Sequence, residues 1–164
     1  MMMHTARLQA QRNFLAIAAV WLLLAGLHPA HAEVKPAASV PAASLIQPAD
    51  LASLLKNTSS MKPLILQVGF RKLYDQAHVP GSEYAGPANT PAGLQILRDR
   101  VAHLPKDASI VIYCGCCPWS RCPNIAAAYD TLQALGFTRV KVMYVADNFG
   151  TDWVDKGYPT AKDQ

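Results

Sequence analysis

Short apolar runs alternating with segments of helical period constrain this chain more than any other feature. Ser109-Ile-Val-Ile-Tyr113 is apolar and β-branched on successive residues, the pattern of a strand covered on both faces. Pro63-Leu-Ile-Leu-Gln-Val68 and Val140-Lys-Val-Met-Tyr-Val145 read as further short strands. Helical patterns lie between and around them. Leu51, Leu54 and Leu55 fall on one face of a helix over Pro48 to Lys56, with Pro48 suited to a first helical position. Leu94, Leu97, Val101 and Leu104 mark a second helix, capped by Thr90, opened by Pro91 and ended by Pro105. Pro123 to Leu135 reads as a third, stopped by Gly136. Strands that alternate with helices are joined by right-handed crossovers. The expected fold is therefore α/β, with a mostly parallel central sheet and helices on both faces.

All four cysteines sit inside nine residues, Cys114, Cys116, Cys117 and Cys122. Cysteines used as staples would be spread along the chain. These follow a strand and precede a helix, where α/β proteins place reactive groups. Three chemistries are open to them. A thiolate can act as a nucleophile. Four thiolates can hold zinc or copper(I), although structural zinc ligands usually come as two separated pairs. The thiols can also form disulfides, Cys117 with Cys122 or Cys114 with Cys117, whereas a Cys116–Cys117 bridge would be strained. Four cysteines permit three complete pairings, and spacing does not choose among them. A phosphatase cradle is disfavoured, because Tyr113 rather than His precedes Cys114 and Arg121 stands one residue too far, at Cys-x6-Arg rather than Cys-x5-Arg.

Residues 1–32 read as a secretory signal peptide. Arg7 and Arg12 supply a positive start, Phe14 to Leu27 an apolar core, and Ala30-His-Ala32 the small-x-small cleavage pattern. The 14-residue core is short against the ~20 residues of a spanning helix, which argues against an uncleaved anchor. Cleavage after Ala32 predicts a periplasmic or secreted protein with no membrane attachment. Residues 33–45, rich in Ala, Pro and Ser, read as a flexible lead-in, and 46–164 as one domain. Removing two arginines and no acid leaves 13 Lys and Arg against 11 Asp and Glu, so the formal charge falls from +4 to +2. That is too small to argue for nucleic acid or a membrane surface. An oxidising compartment makes the state of the four thiols part of the function.

From about residue 46 to 160 the chain resembles the rhodanese-like sulfurtransferase family. Leu64-Ile-Leu-Gln-Val-Gly69, Tyr74 and Ala77-His-Val-Pro-Gly81 are similar to the family's first strand and turn. Tyr113-Cys114 with Arg121 is similar to its active strand and loop. Gly136-Phe137 and Trp153-Val-Asp-Lys-Gly-Tyr-Pro159 are similar to its tail. Two positions depart: Gln67 stands where the family usually has Asp, and Gly69 where it has Arg. The loop is also longer, with Arg121 seven residues after Cys114 and five after Cys116. Cys114-Gly-Cys-Cys117 with Trp119 partly matches secreted members with Cys-x-x-Cys and a nearby Trp, associated with quinone-dependent alcohol oxidation.

The resemblance implies sulfane-sulfur transfer through a cysteine persulfide. Cys114 is the expected nucleophile because it directly follows the strand, and Cys116 is its rival. Arg121 would hold an anionic donor such as thiosulfate, and the acceptor would be a thiol or cyanide. Cys116, Cys117 and Cys122 are auxiliary thiols, and Gly115, Trp119 and Ser120 complete the loop and cleft. No cofactor and no separate general base are implied; a periplasmic protein partner is compatible. The competing reading is a thiol–disulfide or metal-binding module on the same fold, without sulfurtransferase activity. His78 is expected to serve a turn, His103 to be solvated, and Trp153 to be core. Asp147 and Asp152 suit turns or the cleft rim.

Overall fold

The computed structural model describes residues 40–58 and 61–163. The expected signal peptide, its cleavage site and residues 33–39 of the lead-in lie outside them. The rest of the lead-in is ordered into the domain. Ala42–Ser44 form a 3-10 turn and Leu45–Ile46 form strand β1, so the sheet starts one residue ahead of the expected boundary. Ser44 Oγ and the Tyr129 hydroxyl lie 2.9 Å apart, and Lys141 Nζ donates to the Ala43 carbonyl at 2.5 Å.

The other strands are β2 (Leu64–Gln67), β3 (Glu83–Tyr84), β4 (Ile110–Tyr113) and β5 (Val140–Met143). The sheet order is β1-β5-β4-β2-β3, and every pairing is parallel. The helices are α1 (Pro48–Lys56), α2 (Arg71–Gln76), α3 (Pro91–Val101) and α4 (Pro123–Ala134). The α/β class, the parallel sheet and the three longer helices match expectation. Thr90 caps α3 by accepting the Gly93 N–H at 3.0 Å. That helix ends at Val101, leaving Leu104 on the turn that follows.

Side chains alternate across the sheet with the strand period of two. Leu66, Ile110, Ile112, Val140 and Val142 face α3 and α4, where Leu97, Ile125, Ala128 and Leu132 meet them. Ile65, Val111, Tyr113 and Met143 face the other way, onto Leu51 of α1, Phe149 and Trp153. Each such side chain contributes roughly 1.5–3 kcal/mol when fully buried. Both faces are covered, which is why β4 reads as an unbroken apolar run. Trp153 is fully buried and donates its indole N–H to the Pro159 carbonyl at 2.8 Å, as a core residue.

This strand order creates a crevice. From β2 the chain moves outward to β3; from β4 it moves the opposite way to β5. The segments leaving the carboxyl ends of β2 and β4 therefore diverge, and ligands in open α/β sheets bind at such switch points. Gln67 ends β2 and Tyr113 ends β4, paired directly across the sheet.

Candidate active site

Tyr113 anchors the strand from which the loop departs. Its hydroxyl accepts the Val79 N–H at 3.1 Å and lies 3.1 Å from Ser82 Oγ, while its carbonyl accepts the Val68 N–H at 2.9 Å. Cys114 follows and is buried. Gly115 then turns the chain at φ +81°, a left-handed conformation that favours glycine. A Cβ there would lie 2.5 Å from Phe149 Cβ, and the Phe149 N–H donates to the Gly115 carbonyl at 3.1 Å. The far side of the loop is a 3-10 turn, Trp119–Arg121. It is held by the Trp119 N–H on the Ala146 carbonyl at 3.0 Å and by the Trp119 ring, 5.1 Å from that of Tyr144. Trp119 thus packs across the loop. Cys122 occupies the N-cap of α4 and is buried.

These anchors bring three sulfurs together. The Sγ atoms of Cys114, Cys116 and Cys122 lie within 4.8 Å of one another, with Cys114 and Cys116 3.1 Å apart. Cys117 is 3.2 Å from Cys116 but turns its thiol toward the Arg121 carbonyl, 3.8 Å away. The expected pairings put Cys117 with Cys122 or Cys114; the observed convergence is instead Cys114 with Cys116 and Cys122.

Two side chains that the sequence reading passed over shape this cluster. Asn124 is fully buried at the start of α4. Its Oδ1 accepts the Asn89 N–H at 2.9 Å, which orients its Nδ2 toward Cys114 at 3.5 Å and Cys116 at 3.6 Å. The available signal was a polar residue directly after Cys122-Pro123 on a helix whose next positions are apolar. Phe149 is the second, closing on Gly115.

Both departures from the family pattern are local to Cys114. A Cβ at Gly69 would sit 2.8 Å from Cys114 Sγ, so a larger residue would collide with the sulfur. Gln67 is buried and takes the Gly69 N–H on its Oε1 at 3.1 Å, while its Nε2 points to the Cys114 carbonyl at 3.4 Å.

The thiols divide protons unequally. Hydrogen bonds from Cys114, then Cys116, hold Cys122 down to about 4, with the Ile125 N–H adding to them. The N-terminus of α4 favours the same charge. Cys114 is pushed up, because its hydrogen bonds to Cys116 and Cys122 keep its proton and burial disfavours its anion. For Cys116 the hydrogen bond from Cys114 pulls down, but that to Cys122 and burial outweigh it, so its thiol is raised on balance. Burial, then Cys116, raise Cys117, against smaller opposing effects of its hydrogen bond to Cys122 and of Arg121. These hydrogen bonds favour an anion at Cys122 over one at Cys114.

A cleft of about 380 Å³ opens at the switch point. Cys114, Gly115 and Cys116 floor it, and Gln67, Leu73 and Phe149 wall it. Cys117, Trp119, Ser120, Arg121 and Cys122 are not among its lining residues; Ser120 and Arg121 are exposed. Asp152 takes the N–H groups of Asp147 and Asn148 at 2.7 and 3.2 Å, a turn role. His78 is buried, stacked on Tyr74 at 4.0 Å with Nδ1 2.9 Å from the Tyr74 carbonyl; His103 is exposed.

The family model described as a rhodanese-like domain matches residues 47–146. No curated protein matches the chain. Among solved structures, the rhodanese-like domain of the Alr3790 protein from Anabaena sp. superposes with a TM-score of 0.55 at 22% identity, over 73% of this chain and 79% of that one. The BH2092 protein from Bacillus halodurans gives 0.55 at 20% identity, over 72% and 76%. A variant of EanB in complex with ergothioneine gives 0.53 at 20% identity, over 73% of this chain and 28% of that one. At these identities the likeness is one of fold.

Proposed function

Because the chain belongs to the rhodanese-like domain family, we propose that it transfers sulfane sulfur through a persulfide on Cys114. The observation that carries this reading is the position of Cys114. It leaves the central strand at the switch point, floors the cleft, and touches the cysteine at which the anion is favoured.

The Cys114 thiol is hydrogen-bonded to the Cys122 sulfur, which takes its proton as attack proceeds, so the charge at Cys114 develops only as its new bond forms. Cys114 attacks the outer sulfur of a donor such as thiosulfate. The donor S–S bond breaks, sulfite leaves with its electron pair, and the sulfur stays on Cys114 as a persulfide. Cyanide or a thiol then attacks the outer sulfur, and the Cys114 thiolate leaves with the bonding pair. The Asn124 amide steadies the anion at Cys114 by hydrogen bonding. Arg121, exposed beyond the cleft lining, attracts anionic donors from outside it. We place the mature protein in the periplasm or outside the cell, on the strength of the charged start, apolar core and Ala30-His-Ala32.

Thiocyanate formation from thiosulfate and cyanide, with reduced protein, tests the reading. Cys114→Ser should abolish it, Cys122→Ser should keep only part of it, and Arg121→Ala should raise KM with little change in kcat. Activity that survives Cys114→Ser and disappears with Cys116→Ser would move the nucleophile to Cys116. Failure of the reduced wild type with several donors would overturn the activity. The 3.1 Å approach of Cys114 and Cys116 favours a second reading, a thiol–disulfide module. That reading predicts a protein 2 Da lighter as purified, with a Cys114–Cys116 bridge.

A further inference from the structure

We propose that Cys114, Cys116 and Cys122 form a three-coordinate site for one copper(I) ion. The site shares Cys114 and Cys122 with sulfur transfer, so copper and sulfane sulfur would exclude one another, but copper binding stands or falls on its own measurement.

The three sulfurs come from different local structures: the end of β4, the middle of the loop, and the N-cap of α4. Cys114 directly follows the strand, Gly115 turns the chain toward Cys116, and the Cys122 N–H is held on the Trp119 carbonyl at 3.3 Å, so the fold brings them together. A metal–thiolate bond is about 2.3 Å, so an ion at the centre of a sulfur triangle needs edges of about 4 Å. The present triangle, with one edge of 3.1 Å and none above 4.8 Å, reaches that shape by sub-ångström movements. Gly69 leaves Cys114 Sγ room to move, since its missing Cβ would stand 2.8 Å away.

The donor set selects the ion. Soft thiolates favour copper(I) or zinc, and zinc in structural sites takes four ligands in a tetrahedron. Among the described residues, the group that can share an ion contains these three cysteines and no His, Asp or Glu. Cys117, the nearest further sulfur, lies 3.2 Å from Cys116 but outside the group whose sulfurs all fall within 4.8 Å of one another, and its thiol points to the Arg121 carbonyl. Three sulfurs with no fourth donor in place suit a monovalent soft ion that is satisfied by three.

The surroundings suit an anionic copper–thiolate centre. Asn124, held by Asn89, aims its amide at Cys114 and Cys116. The Ile125 N–H and the start of α4 face Cys122. Such outer hydrogen bonds orient ligating sulfurs and temper their charge. Cys114 and the half-buried Cys116 line the cleft, which gives the ion a path inward.

The test is a titration of the full chain, reduced and anaerobic, with copper(I) against bicinchoninate as the competing chromophore. One copper per chain should be retained, and X-ray absorption should count three sulfurs at about 2.3 Å. Cys114→Ser, Cys116→Ser and Cys122→Ser should each weaken retention at least about tenfold, as should Asn124→Leu, whereas Cys117→Ser should not. The sulfur count on the wild type needs no substitution, so a variant that fails to fold leaves the proposal testable. Loss of copper in Cys117→Ser equal to that in the other three would overturn it, as would a count of two or four sulfurs. So would zinc held by these sulfurs while all copper(I) passes to bicinchoninate.

Discussion

The unequal sharing of protons in the cysteine cluster gives a prediction that can be worked through. Cys122 is held down to about 4, first by the hydrogen bond from Cys114 and then by that from Cys116. At neutral pH it should therefore be the thiolate. An ordinary cysteine would be only a few per cent ionised there. Cys114→Ala removes the largest of the causes. A hydrogen bond to a charged group is worth about 1.5–3 kcal/mol, and a thiol donor belongs at the low end. At 1.36 kcal/mol per unit, the midpoint should rise by about one unit in this variant. The assay is ultraviolet thiolate absorbance of the reduced, metal-free protein as a function of pH. Wild type should gain one thiolate as pH rises through about 4, with the remaining thiols ionising only in alkaline solution. Cys122→Ala should remove that early step, and Cys114→Ala should shift it upward. An early step that survives Cys122→Ala and vanishes with Cys114→Ala would reverse the assignment and make Cys114 the resting thiolate. Absence of any thiolate below neutral pH would refute the reasoning altogether.

Three further outcomes follow from the same structure. Tyr113→Phe strands the buried Val79 N–H and removes the link to Ser82, so chemical denaturation should show a loss of about 1–3 kcal/mol; an unchanged midpoint would contradict the anchoring role given to that hydroxyl. Gly115→Ala forces a left-handed alanine against Phe149, at a cost of about 1–3 kcal/mol or more, and sulfur transfer should fall with it. Activity and stability both equal to wild type would mean that the loop follows another path. N-terminal sequencing of exported protein should begin at Glu33, and a mature chain still starting near Met1 would refute processing after Ala32.

Much of the fold was legible because it is periodic. The β4 run, the Leu51–Leu55 face and the Leu94–Val101 face each repeat over enough residues to declare their type. Strands β1 and β3, two residues each, cannot show a period, and their pairing is written in the partner strands. The six residues of α2 bury only Tyr74, too little to mark a face. At the site, the importance of the loop was visible in the crowding of its cysteines. Their grouping was not. Spacing allowed Cys117 to pair with Cys122 or Cys114, yet the left-handed turn at Gly115 and the turn at Trp119–Arg121 leave Cys117 beside Cys116 and outside the group of three.

By itself, then, the amino-acid order determined the class of fold, the strand-to-helix loop that carries the chemistry, and the two positions, Gln67 and Gly69, where this chain departs from its family. Those are properties of neighbouring residues and their periods. Only the tertiary structure decided that Cys114, Cys116 and Cys122 converge so that the anion is favoured at Cys122, that Asn124 serves two sulfurs, and that Arg121 stands outside the cleft lining. A thiol's proton affinity depends on which donors reach it and on how much water is excluded, and those are set by the packing of β4, α4 and the Phe149 segment around the loop.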